Sequence, residues 1–129
     1  MSYKAEIPYG AYWSTPFARW QGSFANLHSI EFAAHVAKNE LAKRNIDPAI
    51  FDYGALGFSV PQKHSFYGLP WLTGLIGAGQ AGGPTLMQAC ATGVRTLLAA
   101  GQEKEITRRS TALVRNGDVL DVALANRIE

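Results

Sequence analysis

The run Ile50-Phe51-Asp52-Tyr53-Gly54-Ala55-Leu56-Gly57-Phe58-Ser59-Val60, closed by Pro61, constrains the fold more than any other stretch of the chain. Consecutive apolar and aromatic residues fit a strand covered on both faces, because a half-exposed strand alternates apolar with polar positions. Such a strand needs a layer on each side, and its flanks are suited to supply helices. Upstream, Leu27, Ile30, Ala34, Ala37 and Leu41 recur at steps of three and four, the spacing of one apolar face of an amphipathic helix. Ser23 offers that helix a cap, and Asn45-Ile46-Asp47-Pro48 ends it. Downstream, Tyr67 to Ile76 is apolar with an internal Pro70, which suits the first turn of a short helix. Gly77 to Gly83 reads as a flexible break, Pro84-Thr85-Leu86-Met87-Gln88 as a short strand, and Ala91 to Glu105 as a helix rich in Ala, Leu and Arg.

Before all of this, Ile7 to Trp20 is aromatic and broken by Gly10 and Pro16, as a strand running into a loop would be. Alternation of strand and helix predicts an α/β fold with mostly parallel strands and right-handed crossovers. The tail has two readings. Thr111 to Arg115 followed by Asn116-Gly117 suits a strand entering a hairpin, while Asp118 and Asp121 suit the cap of a last helix over Val119, Val122, Ala123 and Ala125. The helix is the preferred expectation.

With 129 residues, 47% of them hydrophobic, the chain is sized for one domain with a real core. Its 12 basic and 10 acidic side chains, net +2, are dispersed, so no basic face exists to neutralise phosphates and nucleic acid is not expected as a partner. The residues from Met1 to Tyr9 contain no signal-like apolar run, and nothing approaches the ~20 apolar residues of a membrane span. The one cysteine, Cys90, has no internal disulfide partner, which suits a reducing, cytoplasmic compartment.

Cys90 is the candidate catalytic residue. A lone cysteine is commonly a small buried hydrophobe, but this one lies where the short strand meets a helix. A thiol in a first helical turn faces N–H groups and the positive end of the helix dipole, which favour a nucleophilic thiolate and can hold the oxyanion of an attacked thioester.

The segment Gln88-Ala89-Cys90-Ala91-Thr92-Gly93 resembles the nucleophile motif of the thiolases, a Cys-Ala-Ser-Gly run opening a helix, with Thr92 in place of the usual serine. Ser14-Thr15-Pro16-Phe17-Ala18-Arg19-Trp20 and Asn45-Ile46-Asp47-Pro48-Ala49-Ile50-Phe51-Asp52 resemble two further thiolase segments in order and spacing, although Ser14 stands where arginine is usual. The resemblance spans residues 5 to 105; from residue 106 to 129 the chain departs from the family pattern, reading Arg108-Arg109-Ser110 where a Gly-Gly-x-Glu-Ser-like stretch is expected. It implies a thiolase-like N-terminal half, an incomplete three-layer α/β fold. It also implies acyl transfer through a Cys90 thioester, with acyl-CoA as substrate and no permanently bound cofactor; ketoacyl-synthase-like enzymes are a near alternative. The family's Gly-His-Pro histidine, second cysteine in Cys-x-Gly and asparagine in Asn-Glu-x-Phe are absent from this sequence. The resemblance therefore implies either a homo- or hetero-oligomer in which another chain supplies them, or a non-catalytic thiolase-like subunit or fragment serving assembly.

Other constellations carry less. Gly77-Ala78-Gly79-Gln80-Ala81-Gly82 satisfies a dinucleotide-binding pattern, with Glu103 near the acidic position, but lacks the preceding strand and the helix opening within it. His28, Glu31 and His35 share a helix face and read as a solvated stripe rather than a metal site. His64 is a loop histidine rather than the base for Cys90, and Phe66, Tyr67 and Trp71 read as core or interface rather than an acyl pocket.

Overall fold

The computed structural model describes the backbone of residues 5–107, 111–116 and 120–126 and the side chains of residues 7–103. In chain order the elements are β1 (Ala5–Glu6), β2 (Tyr12–Trp13), α1 (Ser29–Lys43), β3 (Tyr53–Gly57), α2 (Leu69–Ile76), β4 (Thr85–Leu86), α3 (Thr92–Thr107), β5 (Thr111–Asn116) and β6 (Leu120–Asn126), with short 3-10 turns at Pro48–Ile50 and Ala89–Ala91. Every residue of β3 is buried, as its unbroken apolar run predicts. It pairs in parallel with β4 on one side, Leu56 opposite Thr85, and with β5 on the other, Tyr53 opposite Ala112. The sheet order is β1-β6-β5-β3-β4, with β2 also lying along β6, and every pairing of β6 is antiparallel. The α/β layering with a parallel centre is as the sequence predicts; the antiparallel edge is additional.

The tail corrects one expectation. Val122, Ala123 and Ala125, assigned to a last helix, lie in β6, and the hairpin reading holds in its place. Gly117 of the expected turn, Asp118 of the expected cap and Val119 of the expected helix lie outside the described residues, as do Met1 to Lys4, Arg108 to Ser110 and Arg127 to Glu129. The local cap signal loses because residues 111–116 find a buried neighbour in β3 and residues 120–126 find β5, β1 and β2; pairing against existing strands outweighs local propensity.

Two faces of β3 meet two different layers. Leu56, and Phe58 just beyond the strand, join one apolar cluster with Ile30, Ala34 and Leu41 of α1 and Leu69, Leu72 and Ile76 of α2. Ala55 alternates to the other face, where α3 lies against β3 and β5 and buries Thr92, Thr96 and Ala100. Small residues there let helix and sheet approach closely.

α1 begins at Ser29, not near Ser23. Residues 19–27 are instead taken up by consecutive turns, Gly22 N–H to Arg19 O, Ala25 N–H to Gly22 O and Leu27 N–H to Phe24 O, and Leu27 falls outside the helix. The cap is His28, extended at φ −82° and ψ 129°, whose Nδ1 accepts from Ile30 N–H at 3.2 Å. The helix ends where predicted. Asn45 adopts φ 54°, Asn45 N–H bonds Ala42 O and Ile46 N–H bonds Leu41 O, closing a Schellman motif with Ile46 packed on the core. Pro70 occupies the first turn of α2 as predicted, and the Leu69 N–H is capped from the sheet by Thr85 Oγ1 at 3.0 Å.

The Gly77–Gly83 connector is also corrected, from a flexible break to a tied turn. Gly77 closes α2 at φ 90°, Ala78 and Ala81 are buried, and Gln80 Nε2 donates to Ala49 O at 2.6 Å and Phe51 O at 2.7 Å. At Gly83, with φ 151°, an added Cβ would collide with the Gly54 carbonyl of β3.

Arg44 fastens the N-terminal segment to the end of α1. Its guanidinium donates to Gly10 O at 2.6 Å, Tyr12 O at 3.2 Å and the Glu40 carboxylate, and lies 5.0 Å from the centre of the Trp13 ring. Hydrogen bonds from Lys43 and then from Arg44 hold the Glu40 carboxyl below its ordinary range.

Two outcomes follow from these contacts. Gly83→Ala should cost ~2–3 kcal/mol, from overpacking against β3, read as a lower urea midpoint. Glu40 has a lowered folded value, so its contribution is present above the ordinary glutamate range and is lost as pH falls through the folded value. Glu40→Gln should therefore cost up to about 1 kcal/mol at neutral pH, and the difference from wild type should close in acid.

Candidate functional site

Beyond the carboxyl end of β4 the chain makes a sharp strand–turn–helix junction. Ala89–Ala91 form a single 3-10 turn and α3 starts at Thr92, so Cys90 precedes the helix by one tight turn rather than lying inside it. Cys90 is exposed, not packed as a small hydrophobe. Ala89 holds φ 47°, a left-handed conformation that costs a non-glycine residue roughly 1–2 kcal/mol and persists only where the surroundings enforce it.

Backbone bonds from Ala91 N–H to Gln88 O and from Thr92 N–H to Ala89 O close this turn, and the fully buried side chain of Thr92 adds to them. Its Oγ1 accepts from Gln88 N–H at 2.9 Å and donates to Ala89 O at 2.7 Å, with Phe58 O at 3.3 Å as a second acceptor. One hydroxyl thus joins both sides of the turn to the end of β3. Thr96, one helical turn on and equally buried, donates back to Gly93 O at 2.8 Å and Thr92 O at 3.1 Å. Sequence reading noted Thr92 only as a replacement for serine. The signal that points to its role is a hydroxyl two residues after the candidate nucleophile.

The remaining candidates fall elsewhere. His28 is committed to structure: besides capping α1 it bonds Lys63 O through Nε2 at 2.8 Å and its ring centre lies 4.8 Å from that of Trp71. Accepting at Nδ1 makes Nε2 the protonated nitrogen. Glu31 is exposed, and His35 pairs with Asn39 at 3.2 Å. No metal-binding group of three or more His, Cys, Asp or Glu side chains occurs among the described residues. His64 is exposed at φ 63° and shares no hydrogen bond with Cys90. Trp71 is half-buried on the core, whereas Phe66 is 92% exposed and meets Tyr67 edge to face. The Gly77–Gly82 segment follows a helix and leads into β4, the wrong context for a dinucleotide.

A cavity of ≈ 410 Å³ opens between the Thr15–Gln21 loop, the start of α1 and Gln62. Cys90 does not line it, and its walls Phe17 and Trp20 are 84% exposed, so it is a surface groove apart from the junction. Gln62 also accepts from Ser29 N–H at 2.7 Å, tying the loop after β3 to the helix start.

No protein-family model matches the sequence, and no curated protein matches it. Solved structures do match the fold. The acetyl-CoA acetyltransferase of Bacillus anthracis superposes with a TM-score of 0.76 at 16% identity over 88% of this chain and 29% of its own. Human mitochondrial 3-ketoacyl-CoA thiolase gives 0.76 at 17% identity over 86% of this chain and 28% of its own, and the acetyl-CoA acetyltransferase of Syntrophomonas wolfei 0.68 at 22% over 87% and 28%. The chain therefore has a thiolase-like fold, as the resemblance to the N-terminal part of a thiolase implies, and spans less than a third of the length of these structures.

The histidines separate cleanly in a stability assay. His28→Ala should lower stability by about 1–2 kcal/mol through loss of the cap and the Trp71 contact. His64→Ala, at an exposed ring, should stay within ~0.5 kcal/mol of wild type.

Proposed function

We propose that this chain supplies the nucleophile part of a thiolase-type acyl-transfer site, with Cys90 as the acyl acceptor. The observation that carries the reading is the exposed thiol on a strained strand–turn–helix junction, beyond the carboxyl ends of the parallel strands β3 and β4, where open α/β sheets bind ligands. The thiolase-like fold supports it, and a human mitochondrial 3-ketoacyl-CoA thiolase of that fold has been solved in complex with CoA.

In the first step the Cys90 sulfur attacks the thioester carbonyl carbon of an acyl-CoA. The carbon–sulfur bond to CoA breaks, the thiol proton passes to the departing CoA sulfur, and S-acyl-Cys90 and free CoA result. In the second, the deprotonated α-carbon of another acyl-CoA displaces Cys90 from the acyl group and forms the carbon–carbon bond; thiolysis is the reverse. Splitting the transfer lets one nucleophile serve both directions. A base for the α-carbon and donors for the second oxyanion have no counterpart among the motifs of these residues, so the reading places them on a further stretch of polypeptide, in the same protein or a partner, that carries the His, Cys and Asn motifs. Acyl-CoA is substrate rather than resident cofactor, and the expected setting is the reducing cytoplasm. Among the described residues no helix is long and apolar enough to cross a membrane.

A second reading, a non-catalytic subunit serving assembly, draws on apolar residues left in solvent, among them Met87 beside the junction, Val94 on α3, Phe66 and Tyr67.

Incubation of the purified chain with acetyl-CoA should give a slow acetyl adduct by mass spectrometry, absent from Cys90→Ala, with no steady turnover. Turnover on adding a polypeptide bearing the missing motifs supports the split enzyme, whereas no adduct under either condition leaves the assembly reading. Loss of a base or an oxyanion donor commonly costs ~10²–10⁴ in rate, so steady turnover by the chain alone would contradict the division of labour.

A further inference from the structure

We infer that Thr92 is the positioning residue for Cys90: its buried hydroxyl holds the Ala89–Cys90 peptide in the one orientation that presents the thiol. This rests on the reading of Cys90 as nucleophile and adds how the chain displays it. Ala89 carries a Cβ yet sits at φ 47°, a conformation the chain leaves unless it is held. Two backbone bonds close the turn, Ala91 N–H to Gln88 O at 3.0 Å and Thr92 N–H to Ala89 O, and one buried side chain adds the bonds that tie it to the sheet. Thr92 Oγ1 has a single proton, given to Ala89 O at 2.7 Å, and a lone pair that receives Gln88 N–H at 2.9 Å. Phe58 O at 3.3 Å places the same hydroxyl against the end of β3, so the turn is referenced to a strand whose every residue is buried.

In a trans peptide the C=O and the following N–H point in opposite directions, and none of the described peptides is cis. Drawing Ala89 O inward onto Thr92 therefore turns the Cys90 N–H away from the core, and Cys90 is exposed two residues before a fully buried threonine. Thr96 supports the arrangement by bonding Gly93 O and Thr92 O from below, which fixes the turn on which Thr92 sits. A hydroxyl is what the position requires. Valine matches threonine in shape but offers neither donor nor acceptor, whereas serine keeps both.

The test compares Thr92→Val with Thr92→Ser on two readouts: the rate of Cys90 alkylation by iodoacetamide at fixed pH, and the maximal rate and half-saturation of acetyl-adduct formation from acetyl-CoA. The valine variant should alkylate about 3- to 10-fold more slowly, the range corresponding to one buried hydrogen bond. Its maximal acylation rate should fall by a similar factor with half-saturation unchanged, and the serine variant should stay within about twofold of wild type on both. If Thr92→Val does not fold, the double variant Ala89→Gly with Thr92→Val removes the strain that the hydroxyl restrains, and its alkylation should be slow in the same way. A folded valine variant, single or double, with wild-type alkylation overturns the inference, as does a serine variant as slow as valine. The nucleophile reading fails separately. If wild type forms no acetyl adduct while alkylation still distinguishes valine from serine, Thr92 positions Cys90 but the acyl chemistry is wrong.

Discussion

The burial of β3 on both faces is the constraint on which the rest depends. A strand without a solvent side must have all its backbone groups paired and both rows of side chains covered. β4 and β5 supply the pairing, α1 and α2 cover Leu56, and α3 covers Ala55. The parallel arrangement then forces α2 and α3 to be crossovers, and a crossover entering from β4 delivers a strand–turn–helix junction at the carboxyl edge. Cys90 occupies that junction as a consequence of topology.

Close approach is the recurring device around β3. Gly83 passes against the Gly54 carbonyl, Gly68 against Thr85, and Thr92, Thr96 and Ala100 present a narrow helix face to the sheet. The same closeness lets Thr92 reach Phe58 O and Thr85 reach the Leu69 N–H, so sheet and helices are joined by hydroxyls as well as by apolar packing. A bulky residue at any of these positions would separate layers whose spacing sets the junction's shape.

The histidine His28 and the arginine Arg44 serve structure in this chain. His28 and His35, two members of the histidine and glutamate stripe weighed in the sequence, are spent on a helix cap and an Asn39 contact, and Arg44 anchors Gly10 and Tyr12. Cys90, by contrast, is exposed and has no hydrogen bond to His64, and Ala89 beside it holds φ 47°. The thiolase-like fold extends over less than a third of the length of the matched structures.

What the sequence determined by itself is what short-range chemistry controls. The Ile50–Val60 run specified a doubly covered strand, the three-and-four spacing specified the apolar face of α1 from Ile30 to Leu41, and Asn45 with Ile46 specified the helix stop through bonds reaching back no further than Leu41. Pro70 marked a first turn because its ring fixes one dihedral angle wherever it stands. Tertiary structure decided the features whose partners are distant in sequence. His28 caps α1, in place of Ser23, with its ring held by Lys63 O and Trp71; Gln80 ties a glycine-rich connector to Ala49 and Phe51; residues 120–126 become a strand because β5, β1 and β2 lie beside them. Ala89 belongs with these: nothing in its own side chain asks for φ 47°, and the bonds around it include one from a hydroxyl that also reaches the end of β3.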